Sequence, residues 1–140
     1  MEELFAYAIM LKNEMVSETA YFNRLNKLFI ENPTDEILLE LEWENRIKYI
    51  IAIIIKNVDY LNFDINRFGK VLICLLEDIY SNCENIKWFS KKSYSIWTDI
   101  PYHIQELDPF FILSYIDEPL SWGDEEQTKK MYEYLFNYYK

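Results

Sequence analysis

A chain of 140 residues, 51% of them hydrophobic, can fill one core but not easily a second, so a single domain over residues 1–140 is expected and global disorder is excluded. Two glycines, four prolines and no Asn-Gly or Asp-Gly pair argue against a hairpin-rich β fold and for helices with few tight turns. The formal charge is −10, and nucleic acid is not expected as a direct ligand of the acidic region, which would repel its phosphates.

In chain order, Leu4, Phe5, Ala8, Ile9 and Leu11 fall close to helical spacing within Glu2–Asn13. Ser17 can cap a second helix with inner residues Phe22, Leu25, Leu28 and Phe29, ended by Asn32-Pro33. Thr34 or Asp35 then caps the longest predicted helix, about Glu36 to Asp59. Its face would be Leu39, Trp43, Ile47, Ile50, Ile54 and Val58, widened by Leu41, Ile51 and Ile55. A helix apolar nearly all round is usually central and buried. The β-branched run Ile50–Ile55 is also compatible with a strand.

Ile65 to Tyr80 predicts a further helix with Phe68, Leu72, Leu75, Leu76 and Ile79 inward and Gly69 weakening it slightly. Asn82–Lys92 reads as a connection with a basic end. Ser93–Pro119 holds three of the four prolines, so any helices there are short. Ser121 and Asp124 resemble a capping box opening a last helix to about Tyr139, with Met131, Leu135 and Tyr138 on one face. The expected architecture is an all-α, single-domain bundle of about five to seven helices around the central apolar helix 36–59.

The longest apolar run, Tyr49–Ile55, is far shorter than the roughly twenty residues of a membrane span. The acidic opening Met1-Glu2-Glu3 is unlike a secretory leader. Cys74 and Cys83 form neither a disulfide framework nor a metal set. A soluble cytoplasmic protein with reduced thiols, without membrane or cofactor, is the expectation.

The charge is unevenly placed. Ser93–Thr128 contains eight carboxylates (Asp99, Glu106, Asp108, Asp117, Glu118, Asp124, Glu125 and Glu126) and no lysine or arginine, whereas the remainder nearly balances. Interleaved are Tyr94, Trp97, Tyr102, Phe110, Phe111, Tyr115 and Trp122. Carboxylates steer a basic partner and rings supply contact area at low entropy cost, so this segment is the candidate binding face. Two structural roles compete for the same residues: Asp117 and Glu118 suit a turn with Pro119, and Asp124–Glu126 suit a helix start.

Signs of catalysis are sparse. Asp99, His103 and Glu106 have i, i+4, i+7 spacing, which on one helix would suit a metal or an acid–base pair, but Pro101 interrupts it. Glu40, Glu42 and Glu44 would spread over different helix faces. No Gly-rich phosphate loop, nucleophile elbow or His-Glu-x-x-His motif occurs. Neither cysteine has a basic neighbour in sequence to activate it. The chain therefore points away from an enzyme.

In size, acidity, aromatic content and lack of a catalytic motif, the chain resembles small acidic immunity proteins of bacterial polymorphic or contact-dependent toxin systems. Asp108-Pro109-Phe110-Phe111 and the run Asp117 to Asp124 are its most motif-like segments. The resemblance implies a cytosolic inhibitor that neutralises a basic protein such as a nuclease toxin. No residue roles come with the resemblance; the acidic–aromatic segment itself points to Asp108, Asp117, Glu118, Trp122, Asp124 and Glu125 as the partner-binding residues. The alternatives are a phage anti-defence inhibitor that mimics nucleic acid, and a small helical enzyme using carboxylates or His103.

Overall fold

The computed structural model covers residues 1–140 and is all-helical, without strands. Its nine α-helices exceed the five to seven expected, because the predicted helix 36–59 is divided in two and the expected connection 82–92 is largely helical. The helices fall into two compact units, Met1–Asp64 and Ile65–Lys140. No helix is long and apolar enough to cross a membrane.

The first unit holds α1 (Glu2–Lys12), α2 (Glu18–Glu31), α3 (Glu36–Trp43), α4 (Ile47–Lys56) and a 3-10 turn at Tyr60–Asn62. The helix buried nearly all round is α1, with Leu4, Phe5, Ala6, Ala8, Ile9, Met10 and Leu11 all inside. It packs chiefly on α4, and α2 packs on α3. At its end, Met15 N–H donates to Met10 O (2.8 Å) and Glu14 N–H to Leu11 O (3.0 Å). This is a Schellman closure, and it places Glu14 at φ 57°, where glycine is the usual occupant.

Ser17 caps α2 as expected, accepting Ala20 N–H, and Asp35 caps α3, accepting from Ile37 and Leu38. Tyr21 and Leu25 form the buried face of α2, with Phe22, Leu28 and Phe29 half-buried beside them.

The expected helix 36–59 is not continuous. Glu44 and Arg46 are extended, with ψ of 123° and 115°. The Glu44 carboxylate accepts both Arg46 N–H (3.2 Å) and Arg46 Nε–H (2.7 Å). A side chain that captures a nearby backbone donor offers the chain an alternative to the helical ladder. The break changes the phase of the apolar stripe. Leu38 and Leu41 are buried in α3, Ile50 and Ile54 in α4, while Leu39 is exposed and Trp43 is 84% exposed. The central helix of the expectation is therefore replaced by two short amphipathic ones, and the strand alternative for Ile50–Ile55 is overturned by α4.

The second unit contains α5 (Ile65–Ser81), α6 (Ile86–Asp99), α7 (Tyr102–Gln105), a 3-10 turn at Phe110–Ser114, α8 (Glu118–Ser121) and α9 (Glu125–Asn137). Helix α5 lies where the sequence places it, burying Phe68, Leu72, Ile73 and Leu76. Gly69 is buried because the Tyr139 ring lies where a Cβ would stand. The expected connection 82–92 is instead largely α6, capped by the Asn85 side chain accepting Trp88 N–H (3.0 Å).

The buried face of α6 is Phe89, Ser90, Ser93 and Ile96. Its two serines meet Tyr132 of α9: Ser90 Oγ lies 2.9 Å and Ser93 Oγ 3.0 Å from the phenol oxygen, while Ser93 donates to Phe89 O. Tyr80, Phe89 and Phe136 surround the Tyr132 ring at centroid distances of 4.9, 5.1 and 5.7 Å. Thr128 Oγ1 donates to Ile116 O (2.9 Å), fastening the first turn of α9 to the preceding segment.

Candidate functional site

The acidic segment lies within the second unit. Its helices are short, as the prolines require, and side-chain bonds hold its corners. Trp97 Nε1–H donates to Gln105 O and Gln105 Nε2–H donates to Trp97 O, both at 3.0 Å, fixing the turn from α6 to α7.

The next corner is a second Schellman closure. Asp124 N–H donates to Pro119 O (2.9 Å) and Gly123 N–H to Leu120 O (3.3 Å). Gly123 takes φ 82° with open space around it, so here glycine meets the left-handed requirement. Trp122 projects from this turn, 63% exposed. Asp124 then caps α9 by accepting Gln127 N–H (3.1 Å). The Ser121–Asp124 capping box is thus corrected: Ser121 Oγ donates to Glu118 O, and Asp124 is itself the cap.

Of the seven interleaved aromatics, Tyr94, Tyr102, Phe111, Tyr115 and Trp122 are exposed; Trp97 is half-buried and Phe110 is buried. Most of the rings are therefore available for contact. Phe111 and Tyr115 lie against each other, with centroids 5.5 Å apart.

The expected site residues separate into two sets. Asp108, Asp117 and Glu118 form no ion pair; Asp108 and Glu118 are exposed and Asp117 is half-buried. Asp124 is occupied as a helix cap, and Glu125 lies 3.7 Å from Lys129 Nζ, which also reaches Glu126 at 3.6 Å. Asp108 lines a cleft of about 420 Å3 together with Ile112, Tyr115, Lys130, Met131 and Tyr134. The last three residues lie beyond the acidic segment and were missed in its assignment as the binding face. Lys130, Tyr134 and Tyr138 recur at i, i+4 and i+8, the spacing that places residues on one helix face.

Asp99 ends α6 and His103 lies on α7, separated by Ile100-Pro101, so the i, i+4, i+7 spacing does not share a helix. No group of three or more His, Cys, Asp or Glu side chains is arranged to hold a metal ion. Cys74 and Cys83 are free thiols. Burial, then Asp78 and Glu77, push the Cys74 thiol above its ordinary value, which disfavours the nucleophilic thiolate. Comparison with family models, curated proteins and solved structures finds no match to this chain.

Proposed function

We propose that the protein is a binding inhibitor whose second unit captures a basic protein through the acidic–aromatic surface, in the manner of an immunity protein. The observation that carries this reading is the joint exposure of five aromatic rings and of carboxylates lacking ion-pair partners in a stretch with no lysine or arginine. Unpaired carboxylates retain their charge for steering, and rings anchored on short, braced turns lose little freedom on binding. A partner with a cationic groove for phosphates, such as a nuclease toxin, meets both requirements. Occupying the groove would exclude its nucleic acid.

The test is affinity capture from a lysate of the source organism with the wild-type chain and with Asp108→Lys/Glu118→Lys/Trp122→Ala. These positions are exposed, and none caps a helix through its side chain. A strongly basic protein should be retained by the wild type at low salt, weaken as salt rises, and be lost by the triple variant. Absence of any basic protein at low salt, or equal retention by both chains, would overturn the reading.

A further inference from the structure

We propose that the cleft formed by Asp108, Ile112, Tyr115, Lys130, Met131 and Tyr134 seats one arginine side chain of the basic partner. This assignment rests on the binding-inhibitor reading and names the anchor within it. At about 420 Å3 the cleft lies near the low end of the roughly 300–1,000 Å3 range of small-ligand sites, a scale suited to one long side chain. Ile112 and Met131 supply apolar surface for a methylene stem. Asp108 supplies a carboxylate with no partner of its own, and Tyr115 and Tyr134 supply exposed ring surface.

The same combination is already satisfied once in this molecule, by an arginine. In the first unit, Arg46 donates to both oxygens of Glu44, at 2.7 and 3.2 Å, and its guanidinium lies 4.0 Å from the centroid of the Tyr49 ring. A carboxylate beside a phenol ring is a guanidinium cradle there. The Asp108 cleft offers those groups with no arginine of its own chain. A guanidinium is planar, weakly hydrated and able to lie on a ring while bonding a carboxylate, whereas an ammonium keeps its water. Lys130 bears on how many cations the cleft accepts. Its ammonium makes no ion pair and opposes every cation in the cleft, so the seat rests on Asp108 and the rings and admits one arginine rather than a basic run.

The probe is Nα-acetylarginine amide, titrated into the full-length nitrogen-labelled chain and followed by backbone amide shifts, with Nα-acetyllysine amide for comparison. Shifts should concentrate at residues 108–115 and 127–134, with the arginine probe binding at least about threefold more tightly. Asp108→Asn and Tyr134→Ala, both at exposed positions, should each weaken it about fivefold, and Lys130→Gln should strengthen it about twofold. Shifts spread over every exposed carboxylate, or an affinity indifferent to Asp108→Asn, would overturn the assignment. The two readings fail separately. A basic protein retained equally by wild type, Asp108→Asn and Tyr134→Ala removes the arginine seat and leaves the binding face. An arginine probe seated in the cleft without any basic protein captured removes the face and leaves the seat.

Discussion

The buried hydroxyls joining α6 to α9 form a chain with a direction, and that direction predicts an order of mutational costs. Ser93 spends its only hydroxyl proton on Phe89 O, so towards Tyr132 it can only accept. Tyr132 therefore donates to Ser93 and accepts from Ser90, and all three residues are fully buried. Ser93→Ala strips the buried phenol of its acceptor, costing about 2–3 kcal/mol. Tyr132→Phe leaves Ser90 without an acceptor, costing about 1–2 kcal/mol, while Ser93 keeps its bond to Phe89. Ser90→Ala leaves the Tyr132 proton satisfied and costs least, about 0.5–1 kcal/mol.

Removing all three hydroxyls together leaves no orphan. The triple variant should fall short of the summed single costs by about 2 kcal/mol, a coupling within the range found for residues in one network. Urea unfolding followed by far-ultraviolet circular dichroism measures each stability, provided the denaturant slopes agree. Strict additivity, or a Ser90→Ala cost above that of Ser93→Ala, would refute the directed chain.

Two further substitutions test backbone and packing. Glu14→Gly should stabilise the chain by about 0.5–1 kcal/mol, because roughly 1–2 kcal/mol of left-handed strain is offset by the greater freedom of glycine when unfolded. Calorimetry should show a melting temperature raised by about 3 °C, and no rise would mean that φ 57° is held without cost. Gly69→Ala should eject the Tyr139 ring at a cost of about 1–3 kcal/mol. Burial pushes the Tyr139 phenol up from 10 to about 12, so the folded chain holds this proton more tightly than the unfolded one. Its stabilising contribution is complete below pH 10 and disappears as the pH rises to about 12. In Gly69→Ala, phenolate absorbance should show one tyrosine titrating nearer 10; an unchanged profile would show that the ring stays in place.

Where local chemistry and burial agreed, the sequence was readable. Ser17 and Asp35 cap the helices expected of them, and α5 carries a regular stripe that its environment buries. Helix α6 was hidden for a physical reason: two of its four buried positions are serines serving a phenol 42 and 39 residues away, so the inner face lacks an apolar period. The break after Trp43 depends on the Glu44 side chain competing for Arg46 N–H, which no hydrophobic pattern records. In the acidic segment the composition was legible, but the exposure of each ring was not. Tyr134 and Lys130 join the cleft through tertiary packing, although their i, i+4 spacing was already visible.

The same geometry separates charge available for binding from charge used in folding. Asp124 and Glu125 were placed with Asp108 and Glu118 because all four lie in one cation-free stretch. Yet Asp124 gives its carboxylate to the first turn of α9, and Glu125 shares Lys129 with Glu126. A negative group at a helix N-terminus already interacts favourably with the helix dipole, and its loss as a cap costs about 1 kcal/mol of stability. Reversing Asp124 would therefore weaken any interface by disturbing α9, whether or not it touches a partner. Asp108 and the Trp122 side chain have no such folding role, Glu118 sits in the first turn of the four-residue α8 without a side-chain cap bond, and Asp108 opens onto the cleft. On the proposed binding face, contact energy is therefore expected towards Asp108 and Trp122, while the Asp124 cap holds the start of α9, the helix that carries Lys130 and Tyr134.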